Sequence, residues 1–304
     1  MVSTEGRSAG RRPRVLLLGL VAVVVVWIAA QPETVLAGWE RLTQLVTLAG
    51  EPIAAAQPVL SDHEIERLAR LPAQDQAEGL LERAIGGFRG ANELIEAEVD
   101  GWRGQIRADE GLRRLLTAAL NAHDLRVRAA AIEIWLVAYG VAKTPEEVER
   151  QRRRAEAGAE GSYWALWHLG LLANRGVESD AIFADLVSYL RHPDFQMRHW
   201  AIEGLAYSGD ERMIPYLLEV FRDDPSPHHQ ERAACSLAQS GMLSAEARFR
   251  AVPTFVGYLE EPSFEPVRRR WARQALVDIT GRRDLPDAAA WRRWWEGERR
   301  ARGL

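Results

Sequence analysis

A helical spacing that returns about every 35 residues constrains this chain more than any other feature. Aligned on an alanine, the copies run Arg128/Ala131/Trp135/Tyr139, Ser162/Ala165/Leu169/Ala173, Arg198/Ala201/Leu205/Gly209, Gln230/Ala233/Leu237/Gly241 and Arg269/Ala272/Leu276/Thr280. The five alanines stand 34, 36, 32 and 39 residues apart. Within each copy the positions share one helix face, and a single helix pair cannot bury such a face alone. Repetition at that period predicts stacked helix pairs with a continuous core, an all-α solenoid of about five pairs.

Each copy pairs this motif helix with a preceding one. Apolar sets at helical spacing mark the first helices at Leu112-Leu115-Leu116-Leu120, Ile182-Phe183-Leu186-Val187-Leu190, Ile214-Leu217-Leu218-Phe221 and Val252-Phe255-Val256-Leu259. Thr144-Pro145-Glu146-Glu147 starts another, with Thr144 as cap and Pro145 in the first turn. The turns read Asn121-Ala122-His123-Asp124, Arg191-His192-Pro193-Asp194, Asp223-Asp224-Pro225-Ser226-Pro227 and Glu260-Glu261-Pro262-Ser263. Proline presets such turns and aspartate caps the next helix. Before the repeats, Ser61-Asp62-His63-Glu64 has capping-box spacing, and three less regular helices, the last spanning Leu94 to Ile106, are expected to cap the array. No segment alternates as a strand.

The N-terminus has a different character. Arg7, Arg11, Arg12 and Arg14 precede an unbroken apolar run from Val15 to Ala30, the order of an export signal or signal anchor. Basic residues on the cytoplasmic side place everything after Pro32 across the membrane. The expected organisation is a basic n-region at 1–14, a hydrophobic helix at 15–30 acting as anchor or cleaved peptide, and a juxtamembrane segment and linker at 31–60. Capping helices at 61–108, repeats at 109–281 and a Trp/Arg-rich cap at 282–304 complete it. Within the linker segment, 38–50 is compatible with a short amphipathic helix. The expected location is the inner membrane, with the solenoid on the periplasmic side, or secreted if the peptide is cleaved.

Charge narrows the partners. The net charge of −4 hides a partition: 24 basic and 37 acidic groups in residues 31–265, but 11 arginines against five acids in 266–304. An acidic body lacks the concentrated positive footprint that nucleic acid requires. The single cysteine, Cys235, lies inside a repeat helix and excludes an intrachain disulfide framework.

In its turns, in Pro215 and Pro253 near the starts of first helices, and in its Arg-x-x-Ala-x-x-x-Leu helices, the chain resembles HEAT-repeat proteins. The likeness is to the bacterial kind with phycobilisome-lyase-type HEAT-like repeats. It covers residues 109–281 and continues into Leu276-x-x-Ile279-Thr280-Gly281, Asp287 and Ala290-Trp291-x-x-Trp294-Trp295, which looks like a closing segment of such arrays. The resemblance implies a superhelical interaction surface and no particular activity. HEAT-type hydroxylases hold a di-iron centre with repeated His-Glu dipeptides; here one occurs, His63-Glu64, in the N-terminal cap. His192 with His199, and His228-His229 beside Glu231, allow a metal site to be imagined, although turn and cap histidines are the plainer reading. No phosphate loop or nucleophile elbow is present. No catalytic residue, cofactor or metal is therefore expected, and a repeat-based lyase or hydroxylase is the weakest of three readings.

The most distinctive candidate surface is aromatic. Counting from the first residue of each motif, positions 2, 5 and 9 face away from the alanine side, towards the expected concave groove. Position 2 holds Ala130, Trp164, Trp200, Arg232 and Trp271; position 5 holds Glu133, Trp167, Glu203, Cys235 and Gln274; position 9 holds Val137, Leu171, Tyr207, Gln239 and Asp278. Trp164, Trp167, Trp200, Glu203, Tyr207 and Trp271 form the candidate partner site, because contiguous exposed apolar surface marks contacts. Packing between repeats is the alternative. The leading functional reading is a membrane-anchored scaffold that binds a protein partner, with a glycan or cell-wall binder using the same stripe as the alternative.

Overall fold

All five repeat alanines, Ala131, Ala165, Ala201, Ala233 and Ala272, are completely buried, which is what a shared register between stacked helices demands. The computed structural model describes residues 57–302. The expected n-region, hydrophobic helix and amphipathic 38–50 segment lie outside the described residues. Among the described residues, no helix is long and apolar enough to cross a membrane.

Three helices open the described part: α1 (Asp62–Ala69), α2 (Ala73–Ile85) and α3 (Ala91–Glu98). Ser61 caps α1 by accepting from the Glu64 amide at 3.3 Å. The third helix is shorter than the apolar pattern predicts. It tightens into a 3-10 turn at Val99–Trp102 and ends before Ile106, where Gly104 adopts φ 74. Trp102 is nonetheless buried, its indole donating to Gln76 at 2.8 Å.

Five pairs follow: α4 (Glu110–Leu120) with α5 (Leu125–Ala138), α6 (Pro145–Glu156) with α7 (Trp164–Asn174), and α8 (Ser179–Tyr189) with α9 (Phe195–Ser208). The fourth pair is α10 (Met213–Asp223) with α11 (Pro227–Cys235), and the fifth, after a short α12 (Ala245–Phe249), is α13 (Val252–Tyr258) with α14 (Pro266–Thr280). The final α15 (Ala288–Arg302) buries Trp291 fully and sets Trp294 and Trp295 beside Phe249, closing the last repeat. One isolated bridge, Val59 with Arg89, is the extent of β pairing among the described residues.

The first motif position has a specific task. Arg128 donates to the Ala122 carbonyl, Arg198 to His192 and Pro193, Gln230 to Asp224, and Arg269 to Glu261 and Pro262. Each long side chain thus reaches back into the turn before its own helix and satisfies carbonyls that the turn leaves without partners. Asp124 and Asp194 cap the following helices from the same turns, accepting from Arg126 and Met197 amides at 2.8 and 2.9 Å.

Two sets of close contacts join the pairs. The second helices α7 and α9 touch backbone to backbone, because a Cβ on Gly170 would sit 2.2 Å from the Gly204 carbonyl oxygen and one on Gly204 only 2.5 Å from that of Leu166. Further on, α11 passes into a π turn at Ser236–Ser240. Arg128 reaches that turn from the first pair, donating to the Gln239, Ser240 and Gly241 carbonyls at 2.9, 2.8 and 3.0 Å. Arg248 joins it, donating to Gly241 at 2.7 Å and Leu243 at 2.9 Å, and burial pushes its guanidinium down to about 10. Arg128 therefore ties the first and fourth pairs together.

Candidate functional site

Trp164 opens α7 and Trp200 lies in the second turn of α9; the glycine contact between the two helices brings their rings to 3.9 Å. Both are half-buried. Tyr163 stacks on Trp200 at 6.1 Å and 12°. Trp167, one turn into α7, lies 6.0 Å from Trp164 and 6.2 Å from Trp200, and meets Trp135 of the first pair edge-on at 4.4 Å. Tyr139 stacks on Trp135 at 4.3 Å and is 41% exposed, so the aromatic row runs from Tyr139 to Tyr163 across three repeats.

The candidate residues do not all share that surface. Trp167, Glu203 and Tyr207 are buried behind it. Glu203 forms an ion pair with Arg232 of the next repeat, with one contact at 2.8 Å, and Tyr207 donates its hydroxyl to the Leu120 carbonyl at 3.2 Å. Burial raises the Tyr207 phenol above its ordinary value, so it stays a neutral donor. Trp271 is half-buried on α14 and stacks with none of the described rings of the row. The expected open groove along all second helices is thus filled in the first three pairs, since the Arg128 and Tyr207 bonds draw the first pair over it. Trp135, Tyr139 and Tyr163 join the surface unforeseen. A tryptophan at 135, where all four other copies carry leucine (Leu169, Leu205, Leu237 and Leu276), was the available signal.

The row is short of acceptors. The indole nitrogens of Trp135, Trp167 and Trp200 and Nδ1 of His199 are buried with no hydrogen-bond partner among the described residues. An unsatisfied buried donor costs about 1–3 kcal/mol, so the three indoles carry a penalty in this patch that their stacking must offset.

Beside Trp200 lies a second cluster. His199 is 5.2 Å from His228 and 6.1 Å from His229, and Phe195 stacks on His229 at 4.3 Å. Asp224 holds His229 at 3.1 Å and Arg198 at 3.0 Å. Burial would raise the Asp224 carboxyl, but its bonds to His229 and the Ser226 amide outweigh this and hold it below the usual range. Burial, with His228, Arg232 and His229 nearby, pushes His199 down to about 4. His192 stands apart, accepting from the Asp194 amide and lying against Tyr189. Among the described residues, no three His, Cys, Asp or Glu groups are arranged to hold a metal ion. Cys235 is partly buried, and burial raises its thiol, leaving it poorly nucleophilic.

A separate open cleft of about 860 Å³ lies between α8 and α10, lined by Val187, Leu190, Tyr216 and Val220 with Arg191 and Glu219 paired at its side. It holds none of the aromatic row.

Residues 160–238 and 183–277 match HEAT repeats. These spans cover the second to fifth motif helices, including Trp164, Trp200 and Trp271, and agree with the stacked helix pairs. No curated protein matches the chain.

Proposed function

We propose that this chain is a protein-interaction scaffold whose docking surface is the outer edge of the aromatic row, Trp164 and Trp200 flanked by Tyr163, His199 and Tyr139. The observation that carries the reading is that Trp164 and Trp200, whose rings meet at 3.9 Å, are left half-exposed together with Tyr163 and beside the exposed Tyr139. Aromatic anchors of this kind dominate protein interfaces, because they bury large area at low entropic cost and retain a polar handle. HEAT repeats support a scaffold in preference to catalysis, and neither the phycobilisome-lyase likeness nor the histidine cluster adds a reacting group to that reading.

The proposal places the solenoid outside the cytoplasm, tethered through residues 15–30, on the strength of the arginines that precede Val15. A reporter fused after Leu304 should be active only on the far side of the membrane. For the docking surface, crosslinking in intact cells compares wild type with Trp164→Ala/Trp200→Ala. Loss of the crosslinked protein partner, with the helical signal retained, is expected. Undiminished capture by a folded variant refutes the surface, and retention on purified cell-wall glycan in place of protein transfers the site to a carbohydrate ligand.

A further inference from the structure

The two ends of the described stack carry opposite charge. Residues 57–110, which include α1 to α3, hold twelve acidic and six basic groups, a balance of −6. Residues 266–302, which include α14 and α15, hold eleven arginines and five acids, a balance of +6. Neither imbalance is absorbed locally. Asp62, Asp75 and Glu82 on α1 and α2 are exposed, with no basic partner within 4.0 Å among the described residues. At the other end Arg282, Arg292 and Arg302 are paired with Asp284, Glu260 and Glu298, but Arg283, Arg293 and Arg299 are exposed without a carboxylate partner among the described residues.

Each end also offers apolar surface. Val59 and Ile85 are 56% and 38% exposed beside the acidic helices, and Trp294 and Trp295 are half-buried on the basic α15. An isolated exposed ion pair contributes only about 0.2–1 kcal/mol, so charge alone does not hold such a contact. Complementary potential instead steers encounter and selects orientation, and the apolar side chains then lose contact with water. Like ends repel. That leaves one arrangement, in which the acidic end of one copy meets the basic end of another. The two patches differ, so the contact is heterologous and leaves a free end of each sign for further copies.

We propose that copies of this chain associate head to tail, α1 and α2 of one against α14 and α15 of the next. Sedimentation velocity of the full chain in non-ionic detergent tests this at about 50 mM and about 500 mM salt, across which screening rises steeply. Concentration-dependent association is expected at low salt and monomers at high salt. Asp62→Lys/Asp75→Lys/Glu82→Lys brings the acidic end from a balance of −6 to 0, and Arg283→Glu/Arg293→Glu/Arg299→Glu brings the basic end from +6 to 0, so that each variant keeps only one charged end. Each variant alone should remain monomeric at low salt, and an equimolar mixture should associate again. Circular dichroism of each variant confirms that the helices persist. A monomeric wild type at low salt, association that survives high salt, or a mixture that stays monomeric each overturns the proposal. Binding of the monomeric wild type to vesicles containing anionic lipid assigns the arginines to a membrane surface and likewise overturns it.

Discussion

At the ninth position of the repeat motif, Leu171 and Tyr207 are buried, whereas Gln239 and Asp278 stand exposed and share a long contact of 3.4 Å. The fifth position divides the same way: Trp167 and Glu203 are covered and Gln274 is open. One helical address is therefore core in the second and third pairs and surface in the fifth. Local sequence pattern does not separate the two outcomes. What separates them is how closely neighbouring second helices approach and what lies across from them. Gly170 and Gly204 allow α7 and α9 to touch, and Arg128 and Tyr207 tie the first pair over their inner face.

The most damaging way to break this comparison is to separate α7 from α9. Gly204→Ala places a methyl against the Leu166 carbonyl, and backbone cannot swing aside as a side chain can. A loss of about 3 kcal/mol or more is expected in denaturant unfolding, whereas Gly257→Ala, with nothing near its Cβ, should be neutral or slightly stabilising. Equal effects at the two sites would show that the helices are not in backbone contact.

Acid should act next most strongly, again on the closed region. His168 on α7 is 6% exposed, and burial, with Arg154 adding to it, pushes its imidazole down from 6.5 to about 4. A group depressed in this way binds its proton more readily in the unfolded chain. Its contribution is complete above pH about 6.5 and disappears as pH falls towards 4, for a loss of up to about 3 kcal/mol. His199 adds a smaller term of the same sign, reduced because it is only partly buried. Melting temperature measured from pH 7 to 4 should fall less steeply in His168→Leu; parallel curves would remove His168 from the account.

Arg128→Ala sharpens the comparison by loosening the tie without touching the aromatic row. It withdraws the donor from three carbonyls around the π turn, for an expected cost of about 2 kcal/mol, moderated by water entering in its place. Faster hydrogen exchange should appear in residues 236–241 and around Tyr207 and leave α14 unchanged. Uniform acceleration along the chain would instead mark general destabilisation.

The smallest effects compare two tryptophans at one motif position. Trp200→Ala, within the stacked row, should cost about 2 kcal/mol, and Trp271→Ala, with no ring partner among the described residues, about 1 kcal/mol. Only the first should impair partner capture. Loss of capture in Trp271→Ala would move docking to the last repeats.

Architecture was legible because it depends on period. The alanines from Ala131 to Ala272 recur at 34, 36, 32 and 39 residues, and Asp124, Thr144 and Asp194 cap helices through contacts that span two or three residues. Such contacts are written locally. The third capping helix was overextended because its apolar pattern outlasts the chain's ability to stay helical past Gly101 and Gly104. The candidate surface was legible only in part. Trp164 and Trp200 are where the pattern placed them, but Trp167, Glu203 and Tyr207 are covered, and Trp271 lies away from the row.

The amino-acid sequence by itself determined that residues from about 61 onward stack as paired helices, which face of each bears the alanines, and where the turns fall. Those properties follow from the 3.6-residue period and from capping chemistry within a few residues. Tertiary structure alone decided how closely the second helices approach one another, and with it whether a side chain at one motif position meets water or protein. That outcome rests on contacts such as Gly170 with Gly204 and Arg128 with Ser240, separated by 34 and 112 residues, which no local period encodes.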